Sequence, residues 1–310
     1  MKVMREGERV SKTFDTKAQA AAWASDFTSG HAGTNRTLDE ALSRYAREVT
    51  PTKRGKRWED VRIKAFRSGL PFVQKRIADV TPDMIGKWRD ARLASGLKPA
   101  TVTREMILLS SVFQTARIEW RWISSNPLRE VRKPVGTKPR KRVISGDEVD
   151  VLCAALGYQG GDPQTASERV AVALLVALET AMRAGELCSL TADQMHLDQR
   201  YVHLDMTKNG DERDVPLSAE AVRLLKLVPD GFGLRPSVLD ALFRRARDTA
   251  AQNYPELASV HFHDSRRTAT IALAKKLDVM TLAKMTGHKD LKILLATYYA
   301  INPSDVASRL

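Results

Sequence analysis

Residues 125–142 read SNPLREVRKPVGTKPRKR, and no single element of secondary structure can run through them. Pro127, Pro134 and Pro139 lack a backbone N–H and fix φ near −65°, so a helix stops and a central strand loses its ladder bonds. Patterned sequence lies on both sides. The chain must therefore build two separate cores joined by a basic connector, and its 310 residues are enough to fill both.

Ahead of the connector, residues 34–134 read as almost wholly helical. Thr37 and Glu40 form a capping-box pattern before LSRYAREV. Thr81-Pro82 starts a second helix, with proline at the first helical position. Pro99 opens a long pattern, ATVTREMILLSSVFQTARIEWRWI, with apolar residues on one face. Residues 1–33 are less substantial. KVMREGERVSKTF alternates around Glu6-Gly7 as a hairpin would, and TKAQAAAWASDF reads as a short Ala-rich helix. Two strands and a helix make a poor core, so this piece is an incomplete module or one that needs a partner.

Beyond the connector, assigned to residues 135–144, the last unit spans 145–310. Ser145 and Glu148 form a second capping box, and EVDVLCAAL and ERVAVALLVALETAMRAGELCSL read as helices. MHLDQRYVHLDMTKNGDERDVPLS holds short alternating strands around the turn dipeptide Asn209-Gly210. Helical patterns resume at Ser218. The fold class is mainly α with a small β-sheet: a helical unit, then a mixed α/β unit.

Charge narrows the partners. Lys plus Arg minus Asp plus Glu is 50 − 37 = +13, and residues 34–140 alone carry 24 basic and 11 acidic side chains, again +13. The rest of the chain is near neutral. An excess confined to one segment points to a polyanion, where a scattered one would be a solvated surface. Lys53, Arg54, Lys56, Arg57, Lys87, Arg89, Arg92, Lys98 and Arg104 are the candidate phosphate contacts. The longest apolar run, VAVALLVAL at 170–178, falls short of a membrane span, and MKVMREGERV lacks the apolar core of a signal peptide. Two cysteines, Cys153 and Cys188, imply neither a disulfide framework nor a Cys-rich zinc site, so a reducing cytoplasm is expected.

Four clusters in the last half could carry chemistry. ETAMRAGEL places Arg183 and Glu186 three apart, so they are expected to share a helix face. TKNGDERDVPL puts Lys208 on a hairpin. HFHDSRRTATIAL sets His263 and Arg266 at the start of an apolar helix, a natural anion site. GHKDLKILLATYYAINPSD holds His288 and the pair Tyr298-Tyr299. Taken singly, each has an ordinary structural explanation: a surface ion pair, a solvated lysine, packed aromatics. Metal binding by His261, His263 and His288 is a weak alternative, because no carboxylate stands at a ligand spacing. Together, two arginines, two histidines, a lysine and a tyrosine suit phosphoryl transfer without a metal. Fixed cations stabilise the charge spread over the equatorial oxygens. A phenol with an ordinary pKa of about 10 needs such surroundings and a proton acceptor before it can attack.

In this order the clusters resemble the tyrosine recombinases, the phage integrase family. That family's pattern is Arg in a T-G-x-R-x-x-E-like helix, Lys on a β-hairpin, H-x-x-R, G-H and then Tyr. Here it reads TAMRAGEL, TKNGDERDVPL, HDSRR, TGH and YY, and SNPLREVRKP is similar to the usual exit from the core-binding domain. The likeness covers roughly residues 34–310. It implies a partial arm-type module at 1–33, a core DNA-binding domain at 34–134 and a catalytic domain at 145–310, the latter two gripping double-stranded DNA. It implies that Arg183 and Arg266 clamp the scissile phosphate. Lys208 protonates the leaving 5′-oxygen, His263 assists proton transfer from the nucleophile, and His288 bonds the phosphate. Glu186 supports the arginine segment, and a tyrosine forms a 3′-phosphotyrosyl link. It further implies a homotetramer on two duplexes, possible accessory DNA-bending proteins, and a bacterial or phage-encoded, nucleoid-associated protein. No metal or nucleotide cofactor is called for.

The sequence departs from the pattern in places. Ala181 replaces a usual glycine, Ser265 a usual apolar residue, and Arg267 holds a position often given to His. The family commonly has its tyrosine nine residues after the second histidine, where this chain has Thr297, so one inserted residue is implied. Other members carry a tyrosine pair and use the first, which selects Tyr298 over Tyr299. A non-cleaving DNA binder of the same fold and a metal-dependent hydrolase remain the competing readings.

Overall fold

The computed structural model describes residues 2–5, 8–11, 13–14, 16–21, 35–53, 55–136, 140–205 and 212–298. The chain divides into two compact units, Met1–Pro139 and Arg140–Leu310.

In the first unit, β1 (Lys2–Arg5) and β2 (Glu8–Ser11) pair antiparallel, with Val3 opposite Val10. Residues 17–21 are helical. Four helices follow: α1 (Leu38–Glu48), α2 (Lys56–Gly69), α3 (Pro82–Ala94) and α4 (Pro99–Ile118). Thr37 and Glu40 close a reciprocal capping box on α1, and the Thr81 side chain caps α3 with Pro82 behind it. Tyr45, Ile63, Phe66, Ile85, Met106, Leu109 and Phe113 fill the core. At the centre lies Glu105, wholly buried. Arg62 reaches it at 2.6 Å and Arg92 grips it with two bonds of 2.8 and 3.1 Å. A buried carboxylate left alone would be costly, so these arginines are committed to the fold.

α4 stops earlier than its apolar pattern suggests. Glu119 is its C-cap, Arg121 turns left-handed at φ 56°, and Trp120 packs on Trp122 with ring centroids 4.9 Å apart. Arg44 lies over both indoles, 4.7 and 5.3 Å from their centroids. Side-chain packing wins over helical continuation in WRWI. The chain then enters the connector through a 3-10 turn at Pro127–Glu130, capped by Asn126.

In the second unit, α5 (Gly146–Ala155) begins with the Ser145–Glu148 capping box, and α6 (Ala166–Thr180) runs through its core. The sequence pattern through ETAMRAGEL suggests one unbroken helix, but the structure breaks it. Ala181 is left-handed (φ 55°, ψ 20°), and α7 (Ala184–Cys188) starts anew. A small antiparallel sheet follows, ordered β3 (Met195–His196), β4 (Tyr201–Leu204), β5 (Arg213–Pro216). Val202 faces Val215 across it, and both are buried. α8 (Ala219–Lys226), α9 (Pro236–Ala250), α10 (Asp264–Ala274), α11 (Val279–Thr286) and α12 (Leu291–Tyr298) complete the unit. Among the described residues, no helix is long and apolar enough to cross a membrane.

The connector's end is pinned to α10. Arg140 donates to both carboxylate oxygens of Asp264, at 3.2 and 2.7 Å, and to the Ser259 carbonyl at 2.6 Å. Four residues later the Ile144 N–H donates to Thr268 Oγ1 at 2.9 Å.

Candidate active site

The break at Ala181 sets the position of the first arginine. A left-handed residue reverses the chain after α6, so Arg183 is the cap of α7 and not a member of a continuous helix. Glu186, in the first turn of α7, accepts from the Arg183 N–H at 2.8 Å and from its guanidinium at 2.7 Å. The two residues meet as cap and carboxylate, a tighter relation than neighbours on a helix face.

Glu186 also accepts from Arg213 Nη2 at 2.8 Å. Arg213 opens β5 on the same face as buried Val215, and its side chain is only 8% exposed. Its Nε donates to the Met285 carbonyl at 2.9 Å. One guanidinium thus ties the sheet to α7 and to the end of α11. Burial pushes the Glu186 carboxyl up, but the bonds from Arg213 and from the Arg183 N–H outweigh it and hold the group below its ordinary value. Gly287 leaves room for this arrangement. It ends α11 at φ 69°, and a Cβ there would stand 3.1 Å from Arg213 Nη1.

Arg266, in the first turn of α10, is 5% exposed. It donates from Nη1 to the Ala181 carbonyl and from Nη2 to the Thr286 carbonyl, both at 2.6 Å. Two helix ends therefore orient it through their otherwise unsatisfied carbonyls. Thr286 in turn places its Oγ1 2.6 Å from His288 Nδ1. Burial, then the charges of Arg266, Arg183 and Arg213, push the His288 imidazole down to about 4, so the ring is neutral near pH 7.

Arg183, Glu186, Arg266 and His288 are thus brought together through these contacts. His263 is exposed at the cap of α10, three residues before Arg266. Lys208 falls in the segment between β4 and β5, outside the described residues. Tyr298 is the last residue of α12, placed by its backbone alone, and Tyr299 lies outside the described residues. Among the described residues no group of three potential ligands forms a metal site. Ser265, one of the departures, is buried and donates to the Phe262 carbonyl at 2.6 Å, which closes the turn into α10. A cleft of about 630 Å³ between β5 and the last helices is lined by Glu212, Arg213, Asp214, Lys284, His288 and Lys289, so its wall carries charges of both signs.

Arg213 escaped the sequence reading. Its signal was an arginine two positions from a core valine in DERDVPL, where a cation buried on a strand face demands an acidic partner.

The first unit's cations also sort themselves. Arg92 is spent on Glu105, Lys53 on Glu59 and Tyr45, and Arg89 on Asp90. Lys87 pairs with Asp83 at 2.8 Å, and Arg54 lies outside the described residues. Lys56, Arg57 and Lys98 are exposed. Arg104, also exposed, lies 3.9 Å over the Trp58 ring, which brings the starts of α4 and α2 together.

Comparison with known proteins agrees with this geometry. Residues 142–305 match the model of the phage integrase family, and residues 35–134 match that of the phage integrase N-terminal domain. A Haemophilus influenzae protein named as an integrase/recombinase is 38% identical over 280 residues, covering 88% of this chain and 90% of its own. An Escherichia coli shufflon-specific DNA recombinase is 32% identical, covering 83% of this chain and 67% of its own. Among solved structures, the Tn1549 transposon integrase in complex with transposon right end DNA has TM-score 0.67 at 16% identity, covering 88% of this chain and 98% of its own. A lambda integrase dimer bound to a core site has TM-score 0.66 at 20% identity, covering 92% and 81%. These two share the fold. The chain belongs to the phage integrase family and is a tyrosine-type site-specific recombinase, an enzyme that cleaves and rejoins DNA.

Proposed function

We propose that a catalytic domain, residues 145–310, cuts one DNA strand at a time by in-line attack of Tyr298 on a phosphodiester. The attack leaves a 3′-phosphotyrosyl link and a free 5′-hydroxyl, and a hydroxyl from a partner strand reverses the step. Arg183 and Arg266 hold the two non-bridging oxygens. Glu186 keeps Arg183 in place and takes no part in bond making. Lys208 supplies the proton to the leaving oxygen. His263 assists proton transfer from the phenol, and His288 bonds the phosphate. Residues 34–134 hold the core of the site through backbone phosphates, with Lys56, Arg57, Lys98 and Arg104 as contacts. Residues 135–144 connect the two, and 1–33 are a partial arm-type module. The working assembly is a homotetramer on two duplexes, with room for accessory DNA-bending proteins.

The observation that carries this reading is the support of Arg266 by two backbone carbonyls beside the Arg183–Glu186 pair. Fixed donors of this kind stabilise a phosphoryl transition state without reorganising. Their bonds to the fold keep them oriented before DNA arrives.

The test is a suicide substrate nicked beside the cut site. A covalent protein–DNA species is expected, absent in Tyr298→Phe and present in Tyr299→Phe. The opposite pattern reassigns the nucleophile. Tight binding with no adduct from any form leaves a non-cleaving DNA binder.

A further inference from the structure

Glu186 is one carboxylate between two guanidiniums. Its Oε1 accepts from Arg183 Nη1 at 2.7 Å, and its Oε2 from Arg213 Nη2 at 2.8 Å. The two arginines are not alike. The side chains of Arg213 and Glu186 are 8% and 9% exposed, whereas that of Arg183 is 22% exposed. Charges attract most strongly where water is excluded, so the stronger partner of Glu186 is Arg213. Burial, the largest influence on the Glu186 carboxyl, pushes it up. Of the bonds that pull it down, that from Arg213 comes first and that from the Arg183 guanidinium last.

The arrangement recurs beside the other clamp residue. Asp264, 5% exposed and two residues before Arg266, is held by Arg140 through Nε at 3.2 Å and Nη2 at 2.7 Å. Each of these two carboxylates, close in sequence to a clamp arginine, thus has a second arginine of its own. The consequence is electrostatic. An arginine paired one-to-one with a carboxylate meets a phosphate as half of a neutral pair. Negative charge on the equatorial oxygens grows toward the transition state, and cationic charge that is fixed and unspent stabilises that growth most.

We propose that Arg213 is a positioning residue that takes up the charge of Glu186, so that Glu186 can orient Arg183 without neutralising it. The inference rests on the function proposed above. With Arg213 present, Glu186 is balanced from the β5 side and the charge of Arg183 is left for the phosphate. Without it, the carboxylate turns wholly on Arg183, and the clamp keeps its shape but loses much of its field. The competing role is a third direct grip on the phosphate. Arg213 Nη1 is buried and finds no acceptor among the described residues. Charge-changing variants separate the two roles.

The experiment times adduct formation by full-length protein on the nicked suicide substrate at saturating protein, with DNA affinity and a urea curve for each variant. Arg213→Met should cleave roughly 10²-fold more slowly and retain most DNA affinity. Arg213→Lys keeps the charge without the fork and should stay within about tenfold of wild type. Adding Glu186→Gln to Arg213→Met removes the charge that had turned on Arg183, while glutamine can still complete the capping box. Cleavage should then rise about tenfold or more over Arg213→Met alone. Arg183→Gln with Arg213→Met should be scarcely slower than Arg183→Gln alone, because the effect passes through Arg183. If Arg213→Met does not fold, the Arg213→Lys form and the Glu186→Gln double variant, which leaves no buried carboxylate unpaired, carry the test. The proposal is overturned if Arg213→Met cleaves at near wild-type rate, or if Arg213→Lys loses roughly 10²-fold. It is also overturned if Glu186→Gln brings no recovery, or if the losses from Arg183→Gln and Arg213→Met add, as a third direct grip requires. No adduct from the wild type overturns the parent function, whereas a wild-type adduct with any of these outcomes overturns this inference alone.

Discussion

Arg266 donates to the carbonyl oxygen of Ala181 at 2.6 Å, joining residues 85 positions apart in the chain. That carbonyl is aimed by a left-handed turn, and the turn is made by an alanine. A left-handed conformation costs an L-residue about 1 kcal/mol. Ala181→Gly relieves that cost but adds freedom to the unfolded chain of roughly the same size, so its stability in urea should be almost unchanged. Ala181→Val places a branched side chain where it fits worst. It should lose about 1–3 kcal/mol and slow cleavage, because the carbonyl that orients Arg266 moves with it.

Arg213→Met tests the junction of sheet and helices. The ion pair it removes is nearly inaccessible, with side chains 8% and 9% exposed, so solvent screens it little. Loss of one buried partner should cost about 3 kcal/mol in urea denaturation at pH 7, tempered by the Arg183 bond that Glu186 keeps. The sign with pH follows from the depressed Glu186 carboxyl. Its contribution is present above the ordinary value of 4.5 and fades as pH falls through the lower folded value. The gap between wild type and variant should therefore close only in acid, below 4.5.

His288 gives the opposite kind of slope. Its folded value is lowered from 6.5 to about 4, so between those values the unfolded chain binds a proton that the folded one refuses. Stability should be level above 6.5 and decline as pH falls toward 4. His288→Asn should flatten that decline, measured as the difference between unfolding midpoints at neutral and mildly acid pH.

Arg183→Lys and Arg266→Lys keep the charge and lose the planar fork. Cleavage of the nicked substrate should fall by roughly 10²–10³-fold, with most DNA affinity retained. Lys56→Gln with Arg57→Gln should do the reverse. Affinity should weaken and the slope of log affinity against log salt should shrink by about 1–2, while the rate of cleavage at saturating protein holds.

Treatment with a chelator should leave adduct formation unchanged. Loss of activity restored by a divalent cation would favour the hydrolase reading instead.

Local signals carried much of the fold into the sequence. Thr37–Glu40, Ser145–Glu148 and Thr81-Pro82 act within one turn of backbone, and each appears as a cap. What escaped was decided at a distance. Alanine is the best helix former, yet Ala181 leaves the helix because its carbonyl serves Arg266 on another element. WRWI looks helical until Arg44 and the two indoles stack. Arg92 resembled a hand for phosphate and proved to be a counter-ion for Glu105. Arg183, Glu186, Arg266 and His288 could be singled out by residue type and order. Arg213 and Thr286 could not, since their duties arise only from three-dimensional neighbours.

Arg140 grips Asp264, which sits two residues before Arg266, and Ile144 is tied one turn further along the same helix. The stretch 140–144 is thereby stapled to α10 at two points, so Asp264→Asn, which weakens the first of them, should loosen the start of the second unit while the Ile144–Thr268 bond still holds it.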